Sequence, residues 1–409
     1  MGFAQGVSGI NAAANNLDVI GNNIANSSTV GFKAGGVQFA DVYAGSKVGL
    51  GTSVASVTQN FNQGSVQTSS RALDIAIVDG SGFFRLTSPG GEVAYSRNGQ
   101  FDRDKDGYIV NAAGMRLTGY PVGANGAVAG GMPGPLMIPT TEMPPKPTGN
   151  ISAAFNIDAR ATAPTLPFDP ADSATYNYPN AVTVYDSLGN PHEFATFFVK
   201  TGANSWDVYA TVDGAITPAV VPPALPAPMG SLGFDTAGQM VLVPPATGTF
   251  ATTVAMTNGA APLNLTLDLN GTTQYGNVND VRNLSQDGYA SGSLIGFEVA
   301  DDGRIVGKYG NEQSALLGQV VLSTFINPGG LVSQGGNLWA ESAASGAPLT
   351  GTPGKGSKLG ALVSGALESS NVDLTAELVN LIVAQRTYQA NTQTVKTQDQ
   401  VVQALINMR

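Results

Sequence analysis

Few residues of this chain could do chemistry, and each sits in a pattern that stops short of a reactive site. Asp102-Arg103-Asp104-Lys105-Asp106-Gly107 has the D-x-D-x-D-G spacing with which a calcium-binding loop begins. Such a loop needs a bidentate Glu at its twelfth position, which here is Ala113, and a helix on either side. The flanking residues read as strands, so the run is expected to be a β turn. His192 is the single histidine. Imidazole catalysis or metal ligation would need it beside Ser and Asp or beside other ligands. It follows Asn190-Pro191, so it is expected in a turn, at the surface. Cys is absent, which removes thiol chemistry, disulfides and Cys-based metal sites. Glycine pairs such as those of GLGTS are turn chemistry; no nucleophile elbow, phosphate loop or dinucleotide fingerprint stands out. Catalytic residues, metals and cofactors are therefore not expected, and neither is an enzyme.

The composition says what kind of surface the chain presents. Charged residues are only 12%, about half the usual fraction, while Gly (52) and Pro (24) are plentiful. That favours β structure with many turns and a surface of hydroxyls and amides. A net charge of −10 disfavours nucleic acid as a partner. Nowhere do eighteen apolar residues run together, so no membrane span is expected. Lys and Arg are missing before the first apolar positions, and those positions are periodic. A cleaved secretory signal is therefore not expected: the protein stays in the cytoplasm or leaves by a route that needs none.

The elements that must organise such a chain are its two ends. Residues 371–409 contain neither Pro nor Gly and read as one helix, roughly 55 Å long at about 1.5 Å per residue. Asn371 or Asp373 can cap its start. Leu374, Leu381, Tyr388, Val395 and Val402 recur every seven residues, beside a second row of Leu378, Gln385, Thr392, Asp399 and Ile406. A seven-residue row is a coiled-coil seam and needs a partner helix. At the other end Phe3, Val7, Ile10, Ala14, Leu17, Gly21 and Ile24 alternate spacings of four and three. The two rows are expected to pair as the helical assembly seam.

Between the ends the pattern is β. Residues 73–122 read as hairpins turning at Asp79-Gly80, Asn98-Gly99 and Asp106-Gly107. Residues 130–150 are Pro-rich and read as a linker. A second β region, 151–283, alternates as in a sandwich or barrel and carries an exposed Pro-rich loop at 217–228. Residues 284–349 resume the first style, with a hairpin at Asp302-Gly303. The expected fold is mainly β with paired terminal α-helices, built from nested discontinuous domains. These are 1–72 with 359–409, 73–145 with 284–358, and 146–283.

ANNLDVIGNNIANSSTVGFK, from Ala14 to Lys33, resembles the N-terminal signature of the axial proteins of the bacterial flagellum, the rod and hook family. ESSNVDLTAELVNLIVAQRTYQANTQTVKTQDQ resembles their C-terminal signature. FADVYAGSKVGLGTSV, the GFFRL…GMRLTGYP block and DSLGN are similar to the hook-forming members. The resemblance covers nearly the whole chain and is weakest at 214–271. It implies a structural subunit that self-assembles into a flexible tube, the hook that joins rod to filament, with the terminal helices lining the inner wall. By the same resemblance its partners are further copies of itself, the distal rod protein, the hook cap protein, the hook–filament junction protein and the flagellar type III export apparatus. Its place would be the extracellular flagellum, reached without a cleaved signal. Phe39 and Tyr43 match an F-x-x-x-hydrophobic element that looks like the family's export-gate recognition signal; packing in the connecting segment is the other reading. Two alternatives stay open at this point. A distal rod protein shares the ends but is expected to lack 151–283. A secreted β-rich adhesin gives no reason for the paired heptads.

Overall fold

The computed structural model describes residues 2–42, 49–123, 126–218, 225–241 and 248–407. Helix α1, Gly2–Ala25, opens the chain and helix α2, Leu374–Asn407, closes it; among the described residues the rest is strand, turn and two 3-10 turns. The expected class, mainly β with terminal helices, is the one adopted. Asp373 starts α2, its Oδ1 accepting from the N–H groups of Thr375 and Ala376 at 2.9 and 3.1 Å. Asn371 bonds instead to the N-terminal segment: its Nδ2 donates to the Asn60 and Asn62 carbonyls, and its Oδ1 accepts from Ala34 N–H.

Contacts divide the chain into two units. Unit 1 holds the residues up to Thr140, Ile295–Lys308 and those from Ser314 on. Strands β1, Gly35–Asp41, and β2, Thr52–Gln59, form an antiparallel pair against α1. Strand β3, Val66–Thr68, pairs with Ala366–Glu368, and β4, Ile75–Val78, pairs with Ala361–Ser364. The returning chain is thus stitched to the outgoing one. The main sheet runs Leu294–Val299, Arg304–Tyr309, Ser314–Val320, Arg116–Pro121, Phe83–Thr87, Val93–Ser96, Leu338–Ala340, Val332–Gly335. At its core Phe83 meets the rings of Phe61, Phe325 and Trp339 edge-on, at centroid distances of 5.3, 6.0 and 6.0 Å.

The Pro-rich stretch is not a free linker. Leu136 and Ile138 are buried, two residues apart on extended chain, so both point into the core. Gly134–Pro135 pairs with Arg116–Pro121, and Ile138 N–H donates to the Gly107 carbonyl. Pro sits at positions that need no donor, so a Pro-rich segment can pack as an edge strand.

Unit 2 holds Thr141–Leu294 with Tyr309–Gln313. One sheet orders Tyr178–Tyr185, Pro191–Gly202, Ser205–Val212, Gly230–Phe234 and Met240–Val241, all antiparallel. In the other, Asn150–Asp158 lies parallel to Leu263–Asp268 and to Thr273–Tyr275, and antiparallel to Asp280–Gln286. Both contribute to one apolar core that includes Phe155, Phe198, Trp206, Leu232, Leu265 and Leu267. Trp206, fully buried, gives its indole N–H to Gln274 Oε1 at 2.8 Å. Of the expected loop at 217–228, residues 219–224 lie outside the described residues; Leu225 beside them is 70% exposed.

Candidate functional site: the paired chain ends

The calcium-like run is a hairpin turn between Asp102–Arg103 and Ile109–Val110. Asp104 Oδ1 accepts from the N–H groups of Asp106 and Tyr108, and Gly107 takes φ 90°. Asp102 is held by the Arg71 guanidinium. The same five-residue turn recurs at Asn111–Met115, Asp186–Asn190 and Asp235–Gln239, each with the first side chain accepting from the third and fifth N–H. The fourth residue is each time a Gly at positive φ. The acidic residue is thus a turn former, and D/N-x-x-G is the signal that finds all four. His192 departs from the surface expectation: its side chain is 13% exposed and lies between Asp186 and Asp213.

The helices pair antiparallel. Gly6 lies against Val395 and Gly9 against Asn391; a Cβ at either glycine would come within 2.7 Å of those side chains. Ala13, Ile20 and Asn23 are buried on the same face of α1, and Ala384 on α2. Asn23 Nδ2 donates to Glu377 Oε1 at 3.1 Å and to the Gly35 carbonyl, while its Oδ1 accepts from Gly35 N–H. The intrachain seam of α1 is therefore Gly6, Gly9, Ala13, Ile20, Asn23. It lies beside the apolar row named from the sequence. Small residues let the backbones approach closely, and burying them leaves the larger ones free.

The apolar rows fall as follows. Phe3 and Val7 are exposed, at 55% and 37%, and Ile10, Leu17 and Ile24 are half-buried. On α2, Leu381 is half-buried and Val395 is half-buried against Gly6 of α1, whereas Leu374, Leu378, Tyr388, Val402 and Ile406 are exposed. A groove of about 510 Å³ opens between α1, α2 and the strand pair β1–β2, with Phe39 and Val37 on one wall and Ala12 and Ala384 among the floor residues. Phe39 is half-exposed there; its expected companion Tyr43 lies outside the described residues.

Where the two ends meet the β core there is a buried charge cluster that the sequence reading missed. Lys33 Nζ lies 2.6 Å from Glu368 Oε1, and Arg97 Nη1 lies 3.4 Å from Glu368 Oε2. All three side chains are almost fully buried. Nζ also donates to the Asn62 carbonyl, Arg97 Nη2 to the Gly80 carbonyl, and Gly64 N–H to Glu368 Oε1. Burial holds the Lys33 ammonium below its ordinary range, against the pull of the Glu368 carboxylate. Sequence did carry a signal: Lys33 is the only charge between Asp18 and Asp41, and Glu368 the only one between Lys358 and Asp373. A charge isolated in uncharged chain is a candidate for burial with a partner.

Known proteins match this sequence along the whole chain. Family models match in succession: flagellar basal body rod protein at residues 5–33, flagellar hook protein FlgE/F/G D1 domain at 77–162, flagellar basal body protein FlaE D2 domain at 156–289, and flagellar basal body rod FlgEFG protein C-terminal at 363–408. Flagellar hook protein FlgE of Escherichia coli K12 is 46% identical over 415 residues, covering both chains entirely. That of Salmonella typhimurium is 47% identical over 413 residues with the same coverage. The chain belongs to the flagellar hook protein family. The hook protein of Borreliella burgdorferi is more distant, 32% identical over 99% of this chain and 98% of its own. The crystal structure of Helicobacter pylori flagellar hook protein FlgE2 shares the fold with a TM-score of 0.52, covering 74% of this chain and all of that one at 14% identity. The chain is accordingly a structural subunit of the flagellar hook, a component of bacterial motility. The rod and adhesin alternatives are not favoured, since full-length hook relatives span 151–283 as well as both ends.

Proposed function

We propose that this hook subunit polymerises through α1 and α2, whose outward apolar rows pack against the ends of further copies. The observation that carries the reading is the mismatch on α1. Its small residues face α2, so Phe3 and Val7 stay exposed in the single chain. Apolar rows of that size on a helix are stabilised once covered, at about 25 cal/mol per Å² removed from water. The subunit forms the flexible tube outside the cell, between rod and filament, and leaves the cytoplasm through the flagellar export apparatus. Phe39 with Tyr43 serves as the export recognition element. Rod, cap and junction proteins meet the same terminal surfaces at the ends of the tube. The three-part domain division, 1–72 with 359–409, 73–145 with 284–358, and 146–283, belongs to the same reading.

The test is electron microscopy of purified protein under salting-out conditions. Wild-type chains give short curved tubes. Val7→Asp places a carboxylate on the outward row, leaves the monomer folded by circular dichroism, and gives none. Tubes of normal length from folded Val7→Asp protein would overturn the proposal.

A further inference from the structure

His192, the single histidine, sits where unit 2 brings three loops together. Its Nδ1 is 2.6 Å from Asp213 Oδ2, in the turn after Ser205–Val212, and its Nε2 is 3.2 Å from Asp186 Oδ2, in the turn after Tyr178–Tyr185. Asp186 is fully buried. Its Oδ1 takes the N–H groups of Leu188 and Asn190, and its Oδ2 takes the amides of Asn190 and of Asn258, the latter at 2.6 Å. Asn258 belongs to the loop between Thr249–Val254 and Leu263–Asp268, in the other sheet of the unit. Ala261 N–H donates from that loop to Ser187 Oγ. Asp213 also accepts from Glu193 N–H at 2.9 Å, so the adjacent glutamate joins through its backbone.

We propose that His192 is a proton-operated clasp, fastening the 186–190 turn and the Asn258 loop to Pro191–Gly202. The ring has a carboxylate on each nitrogen, so only the imidazolium satisfies both contacts. A neutral ring keeps one N–H and turns a lone pair toward the other carboxylate. Asp213 holds the shorter contact, so the proton lost is the one facing Asp186. That buried carboxylate then keeps only neutral donors, and the turn and the Asn258 loop loosen together. The Asp213 hydrogen bond, with help from Asp186 and against partial burial, raises the His192 pKa above its ordinary 6.5. The sign follows: the clasp is complete below the unfolded value and is lost as pH rises through the folded one.

One histidine gives one ring signal, so the full chain can be titrated directly by NMR without mutation. The wild-type midpoint is expected above 6.5, and Asp213→Asn moves it down. Amide exchange at 187–190 and 258–261, corrected for the tenfold-per-unit intrinsic rise, is expected to accelerate severalfold across the wild-type midpoint. In His192→Gln that step is absent. A midpoint at or below 6.5, or the same exchange step in His192→Gln, would overturn the clasp.

Discussion

Lys33 and Glu368, 335 positions apart in sequence, meet at 2.6 Å with both side chains buried, and Arg97 closes on the same carboxylate from the β core. Lys33 follows α1 and Glu368 precedes α2, so this one carboxylate fixes where the segments joined to both helices meet the β part of unit 1. Removing Glu368 would leave two cations buried without a counter-charge. Glu368→Gln is expected to cost about 3–5 kcal/mol in urea unfolding. A double-mutant cycle with Lys33→Met should show strong coupling, the pair of changes costing less than their sum. Additive costs would mean that the contact carries no energy of its own.

Closeness of α1 and α2 rests on Gly6. Any Cβ there lies 2.7 Å from Val395 Cγ2, and the short Val side chain cannot swing aside as a long one can. Gly6→Leu is expected to part the helices while unit 1's core keeps its melting temperature. Limited proteolysis should then trim both ends severalfold faster than in wild type. Unchanged cleavage would show that the pair tolerates the larger residue.

These residues also mark how far the sequence could be read. The heptad spacing placed both helices and their partnership, because periodicity reports a helix and its apolar row directly. It misidentified the inward face of α1, because a seam of Gly6, Gly9 and Ala13 with only Ile20 as a large apolar residue carries little hydrophobic signal; what selects it is the close approach its small residues allow. Leu136 and Ile138 were hidden in a Pro-rich stretch for a similar reason, since composition outweighed a two-residue alternation. Lys33 and Glu368 could be seen as isolated charges, but their pairing is a property of the closed fold.

Asp287 predicts an acid limb for unit 2. It accepts from the N–H groups of Gly149 and Asn150 and from Lys146 Nζ at 3.1 Å, tying the entering strand to the departing one. Partial desolvation works against its ionised form, but the backbone donors of Asn150 and Gly149 prevail and hold its pKa at about 2. A depressed carboxylate stabilises above its unfolded value, ordinarily near 4, and that contribution disappears as pH falls through about 2. The thermal unfolding midpoint, followed by circular dichroism, should therefore fall between those limits. In Asp287→Asn the decline should be shallower and the neutral-pH stability lower. Parallel curves for the two proteins would assign the acid limb to other groups.

Unit 2 is also built to be removable. Met143 and Gly292 form an antiparallel bridge, each N–H donating to the other's carbonyl at 2.8 and 3.2 Å. The chain therefore enters and leaves this part of the unit at neighbouring backbone positions, which a short turn can join. Replacing residues 144–291 by a Gly-rich turn should leave unit 1 folded, because its paired strands and aromatic core lie outside the excised segment. If the excised region tunes how neighbouring subunits slide as the tube bends, its surface should make small polar contacts, since large apolar interfaces hold too firmly. The shortened chain is then expected to form tubes that are straighter and altered in stiffness. Curvature in electron micrographs decides it. Tubes curved like the wild type would remove the mechanical role, and a folded unit 1 that forms no tubes would make the region essential for assembly.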